Sequence, residues 1–93
     1  MSDTAKQYVN DCLDSNRLSY GKWSRRFELE FAHLHDRRFA VFVNSGTSAL
    51  HVGLAALKEH YGWKDGAEVL VPALTFVASL NVVLQNNLRP ILV

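Results

Sequence analysis

Phe39-Ala40-Val41-Phe42-Val43-Asn44-Ser45-Gly46-Thr47-Ser48 passes from apolar to small and polar within ten residues. Residues 39–43 form a short continuous apolar run, as expected of a strand buried on both faces of a parallel sheet. Asn44 to Ser48 are small and polar, and a helical pattern follows, with Leu50, Gly53, Leu54, Leu57 and Tyr61 on one face. The junction therefore reads as a strand handing over to a helix. In open parallel sheets, ligands sit beyond the carboxyl ends of the strands. The first amides of a helix lack internal acceptors and carry the positive end of its dipole. Gly46 lets a ligand approach the backbone, and Ser45, Thr47 and Ser48 bring hydroxyls, so an anion such as a phosphate suits this turn. The same residues also suit a plain helix start in which Ser45 or Thr47 caps the first turn. Neither the Walker spacing nor G-x-G-x-x-G is present.

Downstream, Gly62 to Gly66 end the helix and turn the chain. Glu68-Val69-Leu70-Val71-Pro72 reads as a second strand, Phe76 to about Gln85 as a helix, and a third strand starts near Arg89. Strand and helix alternate, which calls for parallel strands joined by right-handed crossovers. Phe76 falls where the second loop meets its helix, on the side of the sheet that carries Gly46. Two roles are open to it: stacking on a flat ring whose phosphate rests on the first turn, or packing beneath the loop.

Upstream, residues 4–15 read as a helix with Ala5, Tyr8, Val9, Cys12 and Leu13 on one stripe. Residues 15–21 break that period. A second helix runs from Lys22 to Leu34, with Trp23, Phe27, Phe31 and Leu34 on its apolar face and Glu28, Glu30 and the arginines on the wet side. The expected fold class is thus α/β: two N-terminal helices, then β-α-β-α-β with parallel strands.

Composition narrows the function. In 93 residues, Lys plus Arg number 10 against 9 Asp plus Glu, a net charge of +1 that favours neither nucleic acid nor an acidic partner. The single cysteine, Cys12, rules out an internal disulfide and a Cys-rich zinc site. His33, His35, His51 and His60 lack the spacing and the third partner that a metal site needs. There is no signal-peptide pattern at the start and no run of the roughly 18 to 20 apolar residues a membrane helix requires. A cytoplasmic protein is the expectation. The last residues, Arg89 to Val93, read as a strand just beginning, so the sequence is expected to be an N-terminal fragment that folds poorly alone.

Three ordered blocks resemble the DegT/DnrJ/StrS-type sugar aminotransferases: residues 42–51, residues 68–81 and residues 90–93. Leu18-Ser19-Tyr20-Gly21 with Phe27 to Ala32 is similar to the N-terminal arm of that family. The resemblance implies the large domain of the aspartate-aminotransferase fold (fold type I), with residues 1–37 as a helical arm and residues 38–93 as the start of the domain that binds pyridoxal 5′-phosphate (PLP). It implies that Gly46, Thr47 and Ser48 hold the phosphate of PLP, and that Phe76 stacks on its pyridine ring. It implies that Tyr20 and Gly21 lie near a nucleotide-sugar substrate at a homodimer interface. The implied reaction moves an amino group, commonly from glutamate, to a nucleotide-linked keto sugar. The Schiff-base lysine and the acid facing the pyridine nitrogen match nothing here and are expected downstream of Val93. Lys6, Lys22, Lys58 and Lys64 then read as surface charges. A non-catalytic sensor or assembly protein of the same fold is the alternative, and a self-contained phosphate-binding module a third. Two departures stand out. The third helix runs on through Lys58 to Trp63, and Ala67 occupies a position where the family often has an acid, which is expected to affect the turn alone.

Overall fold

A computed structural model describes all 93 residues, arranged as two compact units, Met1–Phe42 and Val43–Val93. No helix is long and apolar enough to cross a membrane.

The first unit is a pair of helices with a short apolar tail. Helix α1 spans Asp3–Asp14. It starts where the Ser2 hydroxyl accepts the Ala5 amide at 3.2 Å, with Asp3 in the first turn against the dipole. Helix α2 spans Lys22–Leu34, the limits expected from its periodicity. Its aromatic face is used: Trp23 lies 4.7 Å from Tyr8 between ring centroids, and Phe27 meets Phe31 at 5.5 Å and Phe42 edge-on at 5.4 Å. The Arg26 guanidinium covers both Tyr8 and Trp23. Asp36, at φ 51°, ends the helix by turning the chain so that the Arg37 amide reaches the Ala32 carbonyl at 2.8 Å. Ala32 is the one residue of α2 that is buried.

The expected strand at residues 39–43 does not form. A strand exists through ladder hydrogen bonds to a neighbour, and the only backbone amide of this run that is hydrogen-bonded, that of Phe42, goes to the Glu28 side chain. The side chains of Phe39 and Val41 are exposed. Apolar content alone could not distinguish a paired strand from an unpaired extended run.

The second unit carries a β-α-β crossover preceded by a long helix. Helix α3 spans Gly46–Tyr61 and closes on Gly62 at φ 64°, where the Trp63 amide reaches the Lys58 carbonyl at 2.9 Å. Strand β1 (Glu68–Val71) and strand β2 (Arg89–Leu92) pair in parallel, with Glu68 opposite Arg89 and Val71 opposite Leu92. Helix α4 (Ala78–Gln85) crosses between them. It begins two residues later than its apolar pattern suggests, which leaves Phe76 in the loop. The sheet has two strands, not three. Val71, Val83 and Leu88 form the buried centre, with Leu54, Ala67 and Val69 packed on it. Ala67 thus does more than shape a turn: its methyl touches the core and its carbonyl accepts the Arg89 amide at 2.9 Å. Lys58 also has a definite place, donating to the Asn86 carbonyl at 2.8 Å and pairing with Asp65.

Candidate functional site

The turn entering α3 is built from its own side chains. The Ser45 hydroxyl accepts the Ser48 amide at 3.1 Å, the N-cap arrangement. Ser45 Oγ also donates to Ser48 Oγ at 3.0 Å, and Ser48 Oγ donates to Asn44 Oδ1 at 2.7 Å. Two of the three hydroxyls counted on as donors are therefore engaged within the turn. What stays free is the backbone: the amides of Gly46 and Thr47 make no hydrogen bond within the chain, and neither does the Thr47 hydroxyl. A Cβ at Gly46 would meet no atom within 4 Å, so open space lies over these amides. The turn offers two parallel amide donors, one hydroxyl and a helix N-terminus, with no carboxylate in the first turn of the helix to repel an anion.

Phe76 lies in the loop leaving the carboxyl end of β1, with its ring 75% exposed. That exposure is far from a residue packed beneath the loop. Ala49 and Leu50 of α3 line one apolar groove with Pro72 and Ser79, which flank this loop. The start of α3 and the β1–α4 loop are thus neighbours. Thr75 Oγ1 and Ser79 Oγ lie 3.1 Å apart across the loop and brace it.

Tyr20 and Gly21 belong to the first unit, where they line a cleft of about 510 Å³ with Arg17, Leu18, Ser19 and Trp23. Arg17 ties this loop together, donating to the Tyr20 carbonyl through Nη2 at 3.0 Å. A Cβ on Gly21 would come within 3.1 Å of Arg17 Nε, so the absence of a side chain there makes room for the guanidinium. The Tyr20 hydroxyl donates to Glu28 Oε2 at 2.5 Å, and Glu28 Oε1 accepts the Phe42 amide at 2.8 Å. Placed on the wet side by periodicity, Glu28 instead joins the loop, the helix and the tail of the first unit. No local rule could have found it, since Tyr20 and Phe42 both lie outside α2.

The Phe42 amide, and after it the Tyr20 hydroxyl, hold the Glu28 carboxyl below its ordinary range. The same hydrogen bond raises the Tyr20 phenol. A carboxyl depressed by folding adds stability above its unfolded pKa of about 4.3, and that stability is lost as pH falls through the lower folded value. Hydrogen exchange at the Phe42 amide is therefore expected to stay slow at neutral pH. It should accelerate relative to the α2 amides once pH drops below about 4. A ratio that stays constant on acidification would show that Glu28 does not hold this amide.

A family model, the DegT/DnrJ/EryC1/StrS aminotransferase family, matches residues 1–93. The chain belongs to this family. Among curated relatives it is 43% identical over 89 residues to a GDP-perosamine synthase of Escherichia coli O157:H7 and 42% identical over 87 residues to one of Vibrio cholerae, matches that cover 95% and 92% of the chain. It spans 23% of the length of each. Among solved structures, the E. coli GDP-4-keto-6-deoxy-D-mannose-3-dehydratase with bound hydrated PLP superposes with a TM-score of 0.91 at 28% identity, over 100% of this chain and 24% of that one. The fold expected of the whole, the PLP aminotransferase type, is the fold of these neighbours.

For a member of the DegT/DnrJ/EryC1/StrS family, the test is whether this turn suits the phosphate of PLP. It does, on the donor set: two unpaired amides, the Thr47 hydroxyl and a glycine with clear space above it. Ser48 fits less directly, because its hydroxyl proton already goes to Asn44.

Proposed function

We propose that this chain is the N-terminal part of a PLP-dependent aminotransferase that transfers an amino group, from glutamate, to a nucleotide-linked keto sugar. Residues 1–37 serve as its helical arm and residues 38–93 open its cofactor-binding domain. The observation that carries the reading is the pair of free amides at Gly46 and Thr47 under open space, in a chain whose relatives act on GDP-sugars by name. In this reading Gly46 and Thr47 hold the cofactor phosphate through their amides, Thr47 adds its hydroxyl, and Ser48 braces the turn through Asn44 and Ser45. The exposed ring of Phe76 lies against the pyridine ring, a contact worth about 1 kcal/mol beyond area burial. Tyr20 and Gly21 face the nucleotide sugar, and the working unit is a cytoplasmic homodimer. PLP, when bound, supplies the electron sink that lets a C–H bond beside nitrogen break.

A second reading has one observation behind it. The neighbouring dehydratase shares the backbone at a TM-score of 0.91, so the same scaffold also serves removal of a sugar hydroxyl in that enzyme. The 43% identity to perosamine synthases favours amination. The test is direct. Full-length protein is incubated with a GDP-linked 4-keto sugar and glutamate, and PLP content and product mass are measured. Bound PLP and an aminated sugar are expected. A deoxygenated product lacking nitrogen would replace this reading with the dehydratase one, and a colourless, cofactor-free protein would replace both with a sensor or assembly role.

A further inference from the structure

Glu28 uses both of its carboxylate oxygens as acceptors, one for the Phe42 amide at 2.8 Å and one for the Tyr20 hydroxyl at 2.5 Å. An amide can only donate, and a carboxylate held ionised can only accept. The phenol proton of Tyr20 therefore points at Glu28. The Phe42 contact stops the carboxylate from turning away, and Arg17 fixes the Tyr20 backbone through its carbonyl. Arg25 places its positive charge near both Tyr20 and Glu28, which favours the ionised carboxylate further. Tyr20 is 49% exposed and lines the cleft, and with its proton committed to Glu28 its oxygen has only acceptor capacity left to offer.

We infer that Tyr20 reads its ligand as a hydrogen-bond acceptor, so that the group it recognises on the nucleotide sugar is a donor, a sugar hydroxyl or a base N–H, and not a phosphate oxygen. Glu28 is the positioning residue that sets this polarity. The inference rests on the nucleotide-sugar reading above and adds which part of the substrate meets Tyr20. A hydroxyl or a base N–H has a proton to offer the phenol oxygen, whereas an ionised phosphate has none.

The experiment compares Tyr20→Phe and Glu28→Gln in the full-length, PLP-loaded protein. Calorimetry gives the affinity for a GDP-linked sugar and for bare GDP, and a separate titration of the apoprotein gives PLP affinity. Tyr20→Phe removes the acceptor and is expected to weaken GDP-sugar binding by about fivefold to tenfold, the scale of one neutral hydrogen bond. Glu28→Gln keeps an oxygen for the Phe42 amide but turns an N–H toward the phenol, which then presents its proton to the cleft. It is expected to weaken the same binding by a similar factor. The double variant should be no weaker than either single one, because both act through one contact. PLP affinity should not change, whereas a general loss of structure would lower it together with the melting temperature. Bare GDP weakened to the same degree places the donor on the nucleoside, as a base N–H or a ribose hydroxyl, and bare GDP unaffected places it on the linked sugar. Glu28→Gln binding as tightly as wild type or tighter, with Tyr20→Phe weaker, would show that Tyr20 donates and overturn the inference. Tyr20→Phe binding like wild type would show that Tyr20 makes no contact and overturn it as well. A wild type that takes up neither PLP nor GDP-sugar defeats the functional reading itself, an outcome separate from these.

Discussion

Gly46→Glu in the full-length protein is expected to abolish PLP binding while leaving the fold as stable as before. The fold has no objection to the change: a Cβ at this position meets nothing within 4 Å, and the backbone there is not in the left-handed region. An acid in the first turn of a helix even adds a few tenths of a kcal/mol against the dipole. The cofactor reading has every objection. The new carboxylate would stand over the Gly46 and Thr47 amides, the two free donors of the turn, and set a negative charge against a phosphate. Like charges brought together cost several kcal/mol, so the affinity for PLP should fall by at least about a hundredfold. Titration of the apoprotein with PLP, followed by absorbance and paired with a thermal melt, separates the two effects. PLP bound as tightly as by wild type would mean that the phosphate rests elsewhere.

Val83→Asp is expected to have the larger effect on folding. Val83 is 2% exposed and sits with Val71 and Leu88 at the centre of the second unit, where β1, α4 and the turn into β2 converge. No cation borders that cluster: Lys58 is already engaged by Asp65 and the Asn86 carbonyl. A carboxylate there has neither water nor partner, and must either stay charged or take up a proton, at a cost of about 3–5 kcal/mol. That is a large part of what a domain has to spare. Urea unfolding followed by circular dichroism should show the midpoint collapse, and expression should shift to the insoluble fraction. A midpoint within error of wild type would show that these three side chains are not the core of this unit.

Helix α2 was legible in its limits, because Trp23, Phe27, Phe31 and Leu34 repeat with one period after the polar loop at residues 15–21. The crossover from Glu68 to Leu92 was legible for a similar reason: β-branched and aliphatic runs alternate with turn residues. Residues 39–43 misled, since five apolar residues in a row describe a composition, whereas a strand is a relation to another segment. The start of α4 was read early because Phe76 and Val77 continue the apolar pattern of the helix. At the turn entering α3, residue types alone showed an anion seat and a capped helix as rivals. The structure contains the cap, made by Ser45, and still leaves Gly46 and Thr47 free. The Glu28 bridge was not legible at all. It depends on how the chain folds back at Tyr20 and Phe42, and neither position carries a local signal.

The parallel pair has a consequence for biosynthesis. Its two strands and the helix between them are contiguous, Glu68 to Leu92, and the backbone pairing runs on by two bonds at each end, from the Arg89 amide to Ala67 and the Gly66 amide to Asn87, and from the Val93 amide to Val71 and the Ala73 amide to Val93. Parallel pairing is usually slow because distant segments must find each other, but here the loop to be closed is about as short as a helical crossover allows. The entropy lost in closing this pair is therefore small, and the pair is expected to be among the early contacts as the polypeptide leaves the ribosome.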